Sequence, residues 1–229
     1  MLHKPNASRT LTAVLVFTAQ QATGATAFAY FGPQYFQLLV GKHGNTSLLL
    51  TAIFGAVKVA ACGLFVIFVA ERVSRKGILT AGAVFMAACQ ITVAAIVKTY
   101  PAPDDPHLTP SGITTIALIY LFVIAYNFSW GPLPWPYVSE IFSTRTREPG
   151  MAVGVASQWL WNFVFSLTTP YMIKHLGWGT FLLWGLFDVV IGLYSWFGLA
   201  ETKNKSLEEI AHTGEAESIV TRFHDRRKT

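Results

Sequence analysis

The sequence predicts an all-α membrane protein of six transmembrane helices. Three observations carry this: the composition, the lengths of the apolar runs, and the polar breaks between them. Of 229 residues, 52% are hydrophobic and only 13% are charged, and the mean hydropathy is +0.44. A soluble domain carries ~25% charged residues, and a disordered chain combines low hydrophobicity with high charge, so both classes are excluded. A bilayer core of ~30 Å needs ~20 apolar residues per helix. Residues 11–32, 48–70, 78–97, 113–138, 150–173 and 180–199 supply six such runs. The expected organisation is a cytoplasmic N-terminal segment (1–10), a six-span bundle (11–200) and a cytoplasmic tail (201–229).

Turn and charge signals separate the runs, including Pro101-Ala-Pro-Asp-Asp-Pro106 and Ser143-Thr-Arg-Thr-Arg-Glu148. Six spans place both termini on one side, where thirteen Lys and Arg residues stand against three (Lys42, Lys98, Lys174) on the other. Cytoplasmic loops gather Lys and Arg, so both termini are expected in the cytoplasm. Residues 1–19 have the basic start and apolar run of a signal peptide. However, Gln20-Gln21 leads into more apolar helix with no cleavage pattern, which argues against one. The tail opens on a capping box, Ser206-Leu-Glu-Glu209.

The net charge of +5 resides in loops and tail rather than on a basic face interleaved with aromatics, which argues against a nucleic-acid partner. Cys62 and Cys89 lie inside apolar runs, and the six histidines lack ligand spacing. No disulfide framework, metal site, cofactor or catalytic constellation is expected.

Polar groups at bilayer depth are functional candidates by default. In the first span Gln20, Thr23, Thr26 and Tyr30 share an arc of about 120° at 100° per residue, a hydrogen-bonding stripe on an otherwise apolar helix, with Gln21 flanking it. Such a stripe serves either substrate contact or interhelical bonding. The second span carries Lys58 near its middle, and the sixth carries Asp188 at similar depth. The two either neutralise each other, or Lys58 faces a cavity and attracts an anion. The fourth span contains Trp130-Gly-Pro-Leu-Pro-Trp-Pro-Tyr137. Its three prolines remove backbone donors and clash with the preceding turn, so no regular helix survives there. Irregular backbone at this depth is tolerated where it is buried or lines a cavity, and transporters use interrupted helices at their binding sites. Trp135 in the break is a stacking surface for a ring-shaped polar ligand. The fifth span adds Ser157, Gln158, Trp159 and Asn162, with Gly150, Gly154 and Ser157 at the spacing of a close helix crossing. Near the span ends, Glu71, Arg72, Arg75, Glu140 and Arg147 suit a cytoplasmic latch remade as helices rock, or a solvated positive-inside loop.

Assembled, these residues resemble the C-terminal half, spans seven to twelve, of a sugar porter of the major facilitator superfamily. Gln20-Gln-Ala-Thr-Gly24 with Tyr30-Phe31 resembles the glutamine pair, glycine and paired aromatics of the seventh span. Glu71-Arg72 with Arg75-Lys76 resembles the loop after span eight. Gly131-Pro-Leu-Pro-Trp135, Glu140-Ile-Phe142 and Arg147 resemble the span-ten signature, and Ala200-Glu-Thr-Lys203 resembles the end of span twelve. The resemblance runs over residues 9 to 210.

It implies one half of a major facilitator fold and transport of a sugar or similar cyclic polyhydroxy compound by alternating access. Gln20, Gln21, Trp135, Trp159 and Asn162 would line the substrate site, with Thr26, Tyr30 and Lys58 as further candidates. Glu71, Arg72, Arg75, Glu140, Arg147 and Glu201 would form the cytoplasmic gating charges. Thr26 stands where the family usually has asparagine, Val59 where many members have asparagine, and Ser74 where the loop has glycine. Lys58, with Ser139-Glu-Ile-Phe142 and Ser157-Gln-Trp-Leu-Trp-Asn162, looks most like the fungal hexose and quinate permeases, which keeps a cyclic hydroxy acid open as substrate. The implied setting is a multi-pass protein of the plasma membrane whose partners are the lipid bilayer and a second six-helix half. Protons are a candidate co-substrate, with coupling residing largely in that other half. A half of this kind must dimerise, pair with another half, or be a truncated product. The competing class is a non-transporting nutrient sensor or remnant.

Overall fold

The computed structural model describes residues 4–40, 44–70, 73–100 and 109–201. Glu71, Arg72 and the tail with its Ser206 capping box lie outside the described residues. Among the described residues every regular element is helical: α1 (Lys4–Ala22), α2 (Ala25–Val40), α3 (Gly44–Phe68), α4 (Arg75–Thr99), α5 (Pro110–Asn127), α6 (Pro134–Ile141), α7 (Arg147–Leu176) and α8 (Gly179–Gly198).

Four helices are long and apolar enough to cross a membrane: α3 over Ser47–Phe68, then α4, α5 and α8. They match predicted spans two, three, four and six. The other two passes are α1 with α2, and the 30-residue α7. Both carry mid-span amides, Gln20 and Gln21 in one and Gln158 and Asn162 in the other, which dilute their apolar character.

The first span is not the continuous helix that the stripe argument requires. It breaks at Thr23–Gly24, and Gly24 has φ +80°. Only glycine adopts that conformation without strain, and space demands glycine too. A Cβ at Gly24 would lie 2.7 Å from the Trp184 ring. Further on, Pro33 lies inside α2 and Phe31 leaves helical geometry (φ −112°, ψ 22°), a proline kink. Thr26 and Tyr30 therefore belong to a separately oriented helix, and the 100° count from Gln20 does not carry across to them.

The fourth span breaks where its prolines predict. α5 ends at Asn127, six turn residues follow, and α6 begins at Pro134. Gly131 N–H reaches back five residues to the Tyr126 carbonyl at 2.7 Å. Trp130, fully buried, donates its indole N–H to Leu79 O of α4 at 2.8 Å, which fastens the break to its neighbour.

The most extensive helix pairs are α4 with α8 and α1 with α7. All three small residues of α7 work at contacts. A Cβ on Gly154 would stand 2.8 Å from Phe17 of α1, and one on Gly150 would overlap the Phe142 ring. Ser157 Oγ lies 3.1 Å from Thr18 Oγ1. Small residues permit this close approach where lipid supplies no hydrophobic drive between helices. Beside the first break, Phe28 stacks on Tyr35 with centroids 4.4 Å apart and meets Phe122 and Phe181 at 5.4 and 5.9 Å. Trp184 Nε1 donates to Tyr35 Oη at 3.1 Å. This aromatic cluster ties α2 to α5 and α8.

Candidate functional site

The two helix breaks meet at one amide. In a continuous helix the Trp130 carbonyl would accept from residue 134, which is a proline with no N–H. Gln20 of α1 supplies the missing donor. Its Nε2 donates to Trp130 O and Gly131 O, both at 2.9 Å. Its Oε1 accepts from Gln158 Nε2 of α7 at 2.8 Å. Both hydrogens and the oxygen are thus engaged, which also fixes the orientation of the amide. On the first break, Thr23 Oγ1 donates to Gln20 O at 2.8 Å, and the buried Gln90 of α4 donates to Thr23 O at 3.5 Å.

Next to it a second amide pair forms: Asn162 Nδ2 of α7 donates to Gln21 Oε1 at 3.4 Å. Gln20 and Gln21 are buried, whereas Gln158 and Asn162 are half-buried. Trp135 follows the break on α6, 41% exposed, with its ring edge-on to Phe17 at 5.2 Å. An apolar ring face beside a row of amide donors and acceptors can stack a cyclic ligand and read its hydroxyls.

Of the residues singled out by sequence, Gln20, Gln21, Trp135 and Asn162 converge here. Trp159 follows Gln158 on α7 and is 64% exposed. Thr26 is half-buried and Tyr30 is 54% exposed, both on α2 beyond the break, and neither side chain bonds to the network. Lys58 is half-buried on α3. Among the described residues no ion pair joins it to Asp188, so mutual neutralisation is not what the fold uses. Gln158 was marked by its cost at mid-span as one of the polar set of span five, but not among the residues the resemblance places at the substrate site. Gln90 carries the same signal in α4.

At the opposite end of the bundle from Thr99 and Pro110, three of the six charges expected to gate, Arg75, Glu140 and Glu201, gather around the N-terminus of α4. Ser74 caps the helix, its Oγ accepting from Gly77 N at 3.1 Å. Glu201 accepts from Arg75 N at 3.0 Å, from Lys76 N at 3.3 Å and from the Ser74 hydroxyl. A carboxylate there complements the positive helix end. Arg75 pairs with Glu140 at 3.3 Å and donates to Ala70 O at 2.7 Å. Tyr137 Oη donates to Ala200 O at 3.3 Å. The ends of α4, α6 and α8 are thereby knotted. Arg147 heads α7 and makes no ion pair among the described residues.

A family model described as "Sugar (and other) transporter" matches residues 1–213. The quinate permease of Emericella nidulans is 31% identical over 199 residues, covering 86% of this chain and 37% of the permease. High-affinity glucose transporter 1 of Candida albicans is 31% identical over 222 residues, covering 90% of this chain and 40% of the transporter. Among solved structures, the major facilitator superfamily proton:xylose symporter XylE superposes with a TM-score of 0.75 at 28% identity, over 89% of this chain and 42% of the symporter. The chain spans about two fifths of the length of these relatives.

Proposed function

This chain belongs to the sugar (and other) transporter family, is a multi-pass membrane protein with the fold of half a major facilitator, and from that premise we propose that it works as one half of a twelve-span carrier for a sugar or similar cyclic polyhydroxy compound. The observation that carries the reading is the amide network built into the proline break beside Trp135. Gln21, Asn162 and Gln158 would bond ligand hydroxyls, Trp135 would stack the ring, and Gln20 would hold the break that presents them. Alternating access follows from rocking this half against a second around that site. The exposed apolar faces of α3 and α7, Val59 and Trp159 included, would meet that second half or lipid, with Thr26 and Tyr30 entering the cavity as the halves close. The knot of Arg75, Glu140 and Glu201 would open and close at the cytoplasmic ends, joined by Glu71, Arg72 and Arg147. A plasma-membrane setting with both termini cytoplasmic suits the distribution of Lys and Arg.

The test is uptake of labelled hexoses by proteoliposomes holding the carrier that contains this chain. Trp135→Ala is expected to lower uptake at least tenfold while thermal unfolding is unchanged, because the ring is only partly buried. Uptake equal to wild type refutes the site.

A second reading takes a cyclic hydroxy acid as substrate. It rests on Lys58, half-buried at mid-span with no carboxylate paired to it among the described residues. Lys58→Gln is then expected to abolish quinate uptake and spare hexose uptake; unchanged acid uptake removes this reading.

A further inference from the structure

Asp188 is used by none of the interactions described above. It stands in the α4–α8 seam, and neither of these helices donates to the Gln20–Gln158 or Gln21–Asn162 amides. Two cation–π contacts bracket the seam and mark its depth. Lys98 Nζ lies 4.6 Å from the Trp178 ring centroid, and Lys76 Nζ lies 6.0 Å from that of Trp196. Tryptophan and lysine collect at the two membrane–water boundaries. At 1.5 Å per residue the two tryptophans are about 27 Å apart, close to the ~30 Å of a bilayer core. Asp188 lies about 15 Å from the first and about 12 Å from the second, near the midplane.

At that depth the carboxyl is 0% exposed, and neither oxygen has a hydrogen-bond partner among the described residues. Both flanking turns pack on α4, the Gly185 turn tightly and the Gly192 turn at ordinary contact. A Cβ at Gly185 would lie 2.8 Å from the Ile91 side chain, and one at Gly192 3.5 Å from that of Val84. A hydrated ion does not fit so close a crossing. From α4 the ionisable group in electrostatic reach is Cys89, which brings no positive charge. The charged residues of α1 and α7 (Lys4 and Arg9; Arg147, Glu148, Lys174 and His175) lie toward the helix ends, and Lys58 forms no ion pair with it.

A bare carboxylate in such a place loses its hydration with nothing in return. Cation, donor and proton are the three remedies, and the first two are absent among the described residues. The acid form carries its own O–H donor, which can turn to the Trp184 carbonyl one turn back, as Ser195 Oγ does to Ile191 O at 2.7 Å in the same helix. We propose that Asp188 is a proton-binding site in the α4–α8 seam, separate from the amide network. The proton exchanges with water when the seam opens. Nothing in this depends on which compound the chain carries.

Infrared spectroscopy of the 229-residue chain in lipid bilayers at neutral pH tests it. Of the twelve acidic residues, Asp188 is the one in the interior of a span, so a protonated-carboxyl band is expected, and Asp188→Asn is expected to remove it. Should that variant fail to fold, isotope-labelled aspartate in the wild-type chain is expected to shift the same band. A spectrum with no protonated-carboxyl band, or a band that neither the variant nor the label alters, overturns the proposal. So does a carboxylate signal that Asp188→Asn removes from the aspartate-labelled chain and that moves with sodium concentration, since a metal cation would then occupy the seam.

Discussion

Gln20 commits its whole side-chain amide inside the protein, to Trp130 O, Gly131 O and Gln158. A buried carbonyl left without a donor costs about 1–3 kcal/mol. Gln20→Ala is therefore expected to destabilise the bundle by about 2 kcal/mol, read as a lowered midpoint of thermal unfolding in detergent, in contrast to the stable Trp135→Ala. Equal stability of the two variants would remove the positioning role. Gly24 is the other residue on which a break depends. Alanine there meets both the positive φ and the Trp184 ring 2.7 Å away, and strain plus overpacking sum to about 3 kcal/mol. Its unfolding midpoint is expected to fall further than that of Gly177→Ala, where φ is +51° but nothing lies within 4 Å. The sequence marked Gln20, Gln21 and Asn162 because mid-span amides are costly wherever they are. It carried no information on Gln20 bonding to backbone rather than to a ligand, since the two oxygens it meets lie 110 and 111 residues away.

At the scale of the element, the proline break and Gln20 form one device. Pro134→Ala returns an N–H four residues after Trp130, the donor that Gln20 replaces. In the double variant the loss from Gln20→Ala is expected to be partly recovered, a coupling of 0.5 kcal/mol or more between touching sites. Strictly additive unfolding energies would show that the two donors do not compete. The first turn of α4 gives a second expectation. Glu201 accepts from the N–H groups of Arg75 and Lys76, so Glu201→Ala should speed amide hydrogen exchange at those two positions while mid-helix Ala87 and Ala88 stay protected. Unchanged exchange there would mean that Ser74 alone closes the helix end. The break in span four was legible because three prolines within five residues leave no alternative. The break in span one was not, because a single glycine inside an apolar run is tolerated in membrane helices, and only the Trp184 ring packed against Gly24 shows why the chain turns there.

For the whole molecule, α3 and α7 expose long apolar faces while the amide network lies between α1, α6 and α7. Polar groups bared to hydrocarbon cost several kcal/mol each, so the chain is expected to need a covering half. Proteoliposomes with this chain alone should show no hexose uptake, and co-reconstitution with a six-span half of a family member should restore it; uptake by the chain alone would refute the half-carrier reading. The sequence by itself determined that the chain is helical and multi-pass, and it marked mid-span polar groups in spans one, four and five as expectations. Hydropathy, proline and charge act locally, within one turn or one span, and so can be read in order along the chain. Only the tertiary structure decided which polar groups face one another. Gln20 was committed to the proline break, Tyr30 was placed on a separate helix beyond Gly24, and Lys58 and Asp188 were left without an ion pair between them. The physical reason is that each of those outcomes depends on the angle and register between helices far apart in sequence, which packing of side chains such as Trp184 against Gly24 and Phe17 against Gly154 sets, and no local pattern encodes.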